Sequence, residues 1–477
     1  MKKIVIIGGG ITGLMTAFFL EEYARDGVDY TVIESTPRPG GKIVSTHESG
    51  FIVEGGPDSF LTQKKAMLDL CHTLGLDDQL IGSNNVEHAT YVWSQGRLHP
   101  MPEGMMLMAP TMILPFLRSG LISWRGKLRI GMEIFIPRRL KDEDESLASF
   151  VRRRLGAELL DKIAAPVMAG IHAADPEKLS LQSTFPIFSE MEKKHGGLVR
   201  AMIKKRWAQA THGPQHGPAP MFMTLRGGLQ QLSDAVVSEL RPNALRLNCR
   251  VLSVDSHINQ YKLALSDGSQ ILADDIIFAT PANVTADLIQ QIDSELATKL
   301  RAIRYVSTAT VSLGFKSREI EFPLDGFGFV VPHGESRKIT ACSWASSKFN
   351  HRAPEGCTLI RVFVGGACAE SLAEQDETRL VDLARQELRT IMGITVPPVL
   401  TKVNRWYKAI PQYDVGHQAR ISEINKIAAQ HPGLYLAGSS YHGAGIPDCI
   451  QSADRIARLI AQKMKPQREE SRMVTIS

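Results

Sequence analysis

Lys3-Ile4-Val5-Ile6-Ile7-Gly8-Gly9-Gly10-Ile11-Thr12-Gly13 is the stretch whose reading decides the fold. Its first residues form a short β-branched run that reads as a buried parallel strand. The glycines that follow fit G-x-G-x-x-G, and Leu14 to Tyr23 has helical periodicity. A second β-branched run, Tyr30-Thr31-Val32-Ile33, ends in Glu34, which follows Gly13 by 21 residues. That is the spacing of a ribose-binding carboxylate in a dinucleotide fold. Gly8 permits the tight turn, Gly10 lets the backbone approach a pyrophosphate, and Gly13 lets helix and strand pack closely. The free N–H groups and dipole at the helix start favour phosphate charge. An acid at position 34 suits a free 2′-hydroxyl, as in FAD or NAD, over NADP.

The next residues separate FAD from NAD. Pro37-Arg38-Pro39-Gly40-Gly41-Lys42 follows directly, and then Glu54-Gly55-Gly56-Pro57-Asp58-Ser59. A nicotinamide dehydrogenase would continue into its next helix-strand unit. Two further glycine turns instead leave room for a second length of pyrophosphate and a flavin. From the glycine turn through the acid to Gly-Gly-Lys, the pattern resembles the flavin amine oxidase superfamily.

The chain has 477 residues, 43% of them hydrophobic and 22% charged, enough for a large core and two domains. The net charge of +5 is small for this length, and no basic stretch interleaves with aromatics, so nucleic acid is not an expected partner. The six cysteines are scattered without metal-ligand spacing, as in a reduced cytoplasmic protein. Met1-Lys2-Lys3 and its short apolar run imitate a signal peptide, but the dinucleotide turn needs that strand. Met101 to Ile122 is the most apolar stretch. Glu103, Pro110, Pro115 and Arg118 interrupt it, so it reads as a buried wall, or else as a patch for peripheral membrane or partner contact, not as a spanning helix.

Farther on, residues 60–82 read as helical, with Met67, Leu68, Leu70, Cys71 and Leu74 on one side. Tyr91-Val92-Trp93 and Arg97-Leu98-His99 read as a hairpin about Gly96. Residues 84–223 are otherwise mostly helical, with Arg138 to Glu145 a charged connector and Thr211 to Pro220 a loop whose two histidines lack further metal ligands. Val251-Leu252-Ser253-Val254, Tyr261 to Leu265 and the strand into Asp275-Ile276-Ile277-Phe278 form a meander and a returning parallel strand. Residues 305–370 read as a mostly antiparallel sheet, Glu374 to Met392 as one helix, and Gly433 to Gly438 as a last strand. A loop, Ser439 to Pro447, and a helix, Ile450 to Lys463, come next, with a disordered tail from Pro466. The fold class expected is α/β: an FAD-binding Rossmann-like domain (1–83, 224–304 and 400–465) with an inserted mixed α+β substrate domain (84–223 and 305–399).

Four stretches sharpen the resemblance: Gly55 to Leu61, Leu98-His99-Pro100-Met101-Pro102, Leu179-Ser180-Leu181-Gln182-Ser183-Thr184-Phe185-Pro186, and Gly445-Ile446-Pro447-Asp448-Cys449-Ile450. Together they resemble the protoporphyrinogen/coproporphyrinogen oxidase family of haem biosynthesis, most of all its soluble Gram-positive branch, across roughly Lys3 to Ala461. The resemblance implies non-covalent FAD, oxygen as acceptor, a porphyrinogen substrate, and transient contact with a neighbouring haem-pathway enzyme. It implies no catalytic side chain and no metal, because the flavin performs the oxidation.

By matching motifs, the implied FAD contacts are Gly8, Gly9, Gly10, Ile11, Thr12, Gly13, Glu34, Ser35, Lys42, Gly56, Pro57, Asp58, Ser59, Val251 through its backbone, Trp406, Gly445, Ile446 and Pro447. Trp406 is weighed against a core tryptophan. Lys64 and Ile171 fall where the family lines its substrate cavity, and Lys64 is weighed against a solvated helix lysine. His99, His172 and His442 read as structural. Eukaryotic members carry an Asn-Arg pair where this chain has Ala89-Thr90, so a proposed propionate grip is missing. That difference fits coproporphyrinogen III, with protoporphyrinogen IX as the alternative. An amine oxidase and a non-catalytic binder like the GDP-dissociation inhibitors are the further readings on this fold.

Overall fold

The N-terminal apolar run forms the strand Lys2–Ile7, whose last four residues are buried. The computed structural model describes residues 1–84, 90–106, 109–110, 112–140, 143–204 and 220–474. Lys2–Ile7 is the middle strand of a five-stranded parallel sheet ordered Leu245–Arg246, Val28–Ile33, Lys2–Ile7, Asp275–Phe278, Leu434–Leu436. The chain first turns to one side, through helix Ile11–Ala24 to Val28–Ile33, and later fills the other side. Strand order therefore reverses at Lys2–Ile7, and the crevice beyond the strand ends at such a reversal is where α/β sheets take ligands.

Helix Ile11–Ala24 buries Leu14, Met15, Ala17 and Leu20. The start of the C-terminal helix packs on it, with Ile446, Cys449, Ile450 and Ala453 in one cluster with Ile11, Leu14 and Met15. The expected meander is Val251–His257, Gln260–Leu265 and Gln270–Ala273, antiparallel throughout.

The second sheet has seven strands: Leu400–Pro411, Tyr305–Lys316, Cys357–Gly365, Ala341–Trp344, Gly328–Val330, Tyr91–Ser94 and Arg97–Pro100 in spatial order. All neighbours are antiparallel except the pair Gly328–Val330 and Tyr91–Ser94. The hairpin turns through Gln95 and Gly96, both at positive φ (54° and 78°), the pattern of a type I′ turn. Helix Glu377–Met392 lays Leu380, Leu383 and Leu388 on this sheet. A helical unit between residues 113 and 204 has its own core, including Leu147, Phe150, Val151, Phe188 and Leu198.

Four expectations are corrected. Residues 60–82 are helical only over Lys65–Thr73 and Asp77–Gln79, because Phe60–Leu61 and Leu80–Gly82 pair with the distant strand Phe222–Leu225. Glu374 to Met392 is not continuous: Asp376 caps a new helix at Glu377, its side chain accepting from Arg379 N. Leu400–Pro411, assigned above to the flavin domain, is the edge strand of the second sheet, since its alternating residues pair along Tyr305–Lys316. The C-terminal helix starts early, at Ile446, and runs to Val474 through Pro466. Proline removes one N–H, and the strong helix formers after it carry the helix on. Ala89 lies outside the described residues, as does the expected loop from Thr211 as far as Ala219.

No helix among the described residues is long and apolar enough to cross a membrane. Nor do those residues hold a cluster of three or more potential metal ligands.

Candidate active site

The glycine turn at the end of Lys2–Ile7 is shaped by contacts that a side chain would abolish. Gly8 has φ of +107°, and a Cβ on Gly13 would stand 1.9 Å from the Gly8 carbonyl oxygen. Gly10 is different: the nearest atom to a Cβ there is Gly41 Cα at 3.9 Å, so its outer face is open. No side chain caps helix Ile11–Ala24, which leaves its first N–H groups facing the crevice. Glu34 closes the turn from the neighbouring strand, its Oε2 accepting from Gly9 N at 2.8 Å and its Oε1 from Thr36 N at 2.8 Å. Ser35 is exposed beside it. Cys249 N donates to Glu34 O at 2.9 Å, which brings the start of Val251–His257, and Val251 with it, to the same edge.

The second glycine turn is bound to the first. Gly40 N donates to Gly9 O at 2.8 Å, and a Cβ on Gly41 would meet Gly10 Cα at 3.0 Å. Arg38, quoted in the motif but given no role above, clasps this loop by donating to the carbonyls of Gly41 (2.7 Å) and Ile43 (3.1 Å). Lys42 is partly buried, burial lowers its pKa, and among the described residues no carboxylate pairs with it. It faces Cys449 in the first turn of the C-terminal helix, and Cys449 in turn bonds Thr12. The turn Gly445 to Pro447 thus leads into a helix whose first turn meets Thr12 and Lys42 through Cys449 and packs Ile446 in one cluster with Ile11.

The third turn, Gly55 to Ser59, rests on the second sheet. Trp406 Nε1 donates to Gly55 O at 2.8 Å, and Trp406 also lies against Gly56. Asp58 is paired with Lys348 at 3.1 Å. Burial alone would raise the Asp58 pKa, but Lys348 and Arg361 outweigh it and bring it down to about 2.

Lys64 forms an ion pair with Asp448, one residue beyond Pro447. The helical run Ala157–Leu159, Leu160–Ala164 and Ala165–His172, with a π turn at its centre, ends in the exposed Ile171 and in His172. Such π turns gather at functional sites. Burial pushes the His172 pKa down to about 4, and the Asp448 and Lys64 charges also act on it. Lys64 is therefore held beside the Gly445–Pro447 turn and within reach of the His172 ring, whose chain neighbour Ile171 is exposed. His99 is not part of it: its Nε2 meets Ser94 O at 3.2 Å within the hairpin.

Lys348, Arg352 and Arg361 carry no recognisable motif. Arg361 alone has a local signal, a lone charge inside the apolar run Cys-Thr-Leu-Ile-Arg361-Val-Phe-Val.

These residues fit a flavin dinucleotide on three observations: an open face at Gly10, a helix start without a cap, and a partly buried Lys42 lacking an anion. Two Rossmann-type glycine turns joined to a mixed-sheet second domain define a flavoprotein oxidoreductase. Residues 11–461 match the family of flavin containing amine oxidoreductases, and the chain belongs to that family. Its cofactor is FAD.

Within the family, the chain is 37% identical to coproporphyrinogen III oxidase of Bacillus subtilis, over 94% of this chain and 96% of that protein. It is 26% identical to the mitochondrial protoporphyrinogen oxidase of Nicotiana tabacum, over 96% and 94% of the two chains. A crystal structure from Exiguobacterium sp. 255-15, provisionally named a protoporphyrinogen oxidase, superposes with a TM-score of 0.87 at 32% identity, over 97% of this chain and 99% of that one.

Proposed function

We propose that this protein oxidises coproporphyrinogen III to coproporphyrin III in haem biosynthesis, passing the electrons to oxygen. The observation that carries the reading is similarity along nearly the whole chain, 37% to a bacterial coproporphyrinogen III oxidase against 26% to a plant protoporphyrinogen oxidase. The placement of Lys64 and His172 beside the flavin turn supports it. In the overall reaction six electrons and six protons leave the porphyrinogen, and three oxygen molecules become three hydrogen peroxide molecules.

FAD supplies the two-electron acceptor when bound. The chain's residues bind and orient. Gly8 to Gly13, Glu34, Ser35 and Lys42 hold the dinucleotide, with Val251 at its edge. Gly56 to Ser59, Trp406 and Gly445 to Pro447 frame the ring. Lys64 offers an ammonium to a substrate carboxylate in exchange for Asp448, and Ile171 supplies an apolar wall. His172 stays neutral at physiological pH, so its imidazole can accept a hydrogen bond but does not act as a standing acid. Orientation of ring against ring is the main catalytic contribution of such a site.

The Exiguobacterium neighbour favours a second reading, protoporphyrinogen IX as substrate. Aerobic turnover of both porphyrinogens side by side, followed by porphyrin fluorescence, decides. Faster formation of coproporphyrin is the expected result. Preference for protoporphyrinogen moves the substrate, and no turnover above autoxidation of either rejects both.

A further inference from the structure

Beneath the turn Gly55 to Ser59 lies a buried group of charges with an arrangement unlike an ordinary ion-pair staple. Arg361, in the middle of strand Cys357–Gly365, is 5% exposed. A buried arginine normally pairs its fork with a carboxylate. Here one terminal nitrogen, Nη2, donates to the carbonyls of both Gly56 (2.7 Å) and Gly55 (3.2 Å), and the buried Nε has no partner. Trp406 takes the same Gly55 carbonyl from the next strand but one, at 2.8 Å.

The peptide plane sets the consequence. In a trans peptide the C=O and N–H point to opposite sides. Drawing the Gly55 carbonyl down onto Arg361 and Trp406 turns the Gly56 N–H up and away from the sheet, where it has no hydrogen-bond partner among the described residues. Gly56 O is held down likewise, and Pro57 after it has no N–H to offer.

The charge balance below the turn adds a second element. Lys348 Nζ reaches Asp58 Oδ2 at 3.1 Å and Ser59 Oγ at 3.1 Å. Arg352 lies behind, 3.7 Å from Glu54. Three cations thus face two acids. Burial moves Glu54 up to about 7, although Ser45, Arg352 and the Leu229 N–H act the other way. The underside is positive whichever way Glu54 stands.

We infer that Arg361 is a positioning residue for the flavin: it fixes the Gly55-Gly56 peptides so that the Gly56 N–H faces the cofactor, and with Lys348 it keeps positive charge under the ring. Positive charge at that place favours the reduced flavin, which carries more negative charge than the oxidised form. This rests on the reading that Gly56 to Ser59 contact the flavin, and it is independent of which porphyrinogen is the substrate.

The test uses the full-length flavoprotein without substrate. Arg361→Gln, Arg361→Lys and Lys348→Gln are compared with wild type for FAD dissociation constant, flavin midpoint potential by dye-coupled reduction, and thermal midpoint. Arg361→Gln is expected to weaken FAD binding at least tenfold. It is also expected to shift the oxidised-to-reduced ratio at a fixed potential about tenfold toward oxidised, about 30 mV for a two-electron couple. Arg361→Lys restores the potential, because the charge returns, while FAD binding stays weak, because the shorter side chain does not reach both glycine carbonyls.

If Arg361→Gln lowers only the thermal midpoint, leaving potential and FAD affinity at wild-type values, the residue is a staple and the inference fails. Should Arg361→Gln not fold, Lys348→Gln decides the charge part: a lowered potential upholds it and an unchanged one overturns it. A protein that shows these shifts yet oxidises no porphyrinogen keeps this inference and loses the proposed substrate.

Discussion

Gly13 and Gly10 stand three residues apart and respond oppositely to a methyl group. At Gly13 a Cβ meets the Gly8 carbonyl at 1.9 Å, and backbone cannot yield as a flexible side chain can. Gly13→Ala is expected to cost about 1–3 kcal/mol of stability and to give protein without yellow colour. At Gly10 the nearest atom to a Cβ is 3.9 Å away and φ is −71°, so alanine fits the protein itself. Gly10→Ala should therefore keep the thermal midpoint of the flavin-free wild type while its FAD dissociation constant rises at least tenfold. A folded Gly10→Ala protein that binds FAD as tightly as wild type would show that the open face at Gly10 is not where the dinucleotide lies.

At the scale of elements, the helical unit is pinned by a buried arginine, Arg154, that pairs with Glu133 and Glu192. Arg154 and Glu133 are both fully buried, and Glu133 also accepts from Leu198 N at 2.9 Å and Val199 N at 3.1 Å. Replacing Glu133 by alanine removes the nearer carboxylate of a buried guanidinium that keeps Glu192 at 3.4 Å and the carbonyls of Ile136 and Gly196, and leaves the Leu198 and Val199 N–H groups without their acceptor, for which about 1–3 kcal/mol of lost stability is expected. Chemical denaturation, with flavin absorbance and far-ultraviolet circular dichroism as separate probes, checks this. Fluorescence of Trp124, on the adjoining helix Trp124–Gly131, should report the loss before flavin release does.

The same scale shows what can be read from the chain. The strand-turn-helix at the N terminus, the meander and the hairpin at Gly96 are legible because neighbours in sequence make them. Phe60–Leu61 and Leu80–Gly82 escape a sequence reading because their partner, Phe222–Leu225, lies far along the chain. Leu400–Pro411 falls to the wrong sheet for the same reason. In the site, glycine motifs point to the turns themselves. Arg361 and Lys348 under those turns are invisible, since an arginine in a strand does not announce which carbonyls it will hold.

For the whole molecule, acid stability follows from groups buried in unfavourable charge states. Burial pushes His172 and His417 each down to about 4. Between pH 6.5 and 4 the unfolded chain binds protons that the folded chain refuses, so stability falls as pH falls through that window. Glu54 acts in reverse. Raised to about 7, it is protonated in the folded chain first, so its contribution improves as pH drops from 7 to about 4.5. His417→Gln should flatten the loss below pH 6.5, and Glu54→Gln should steepen it. Equilibrium denaturation at a series of pH values measures both, and equal slopes in all three proteins would contradict the assignment.

The middle position of Lys2–Ile7 in its sheet has a consequence for how the protein is made. The strand is made before the rest of its sheet, yet one of its two neighbours begins at Asp275, and the sheet is finished only by Leu434–Leu436. The helix start at Ile446 that joins Thr12 and Lys42 comes later still. A nascent chain halted anywhere before that point has half a cradle. Loading of the cofactor thus waits for Gly445 to Pro447, and the yellow colour of the protein marks a chain in which that turn has met the first.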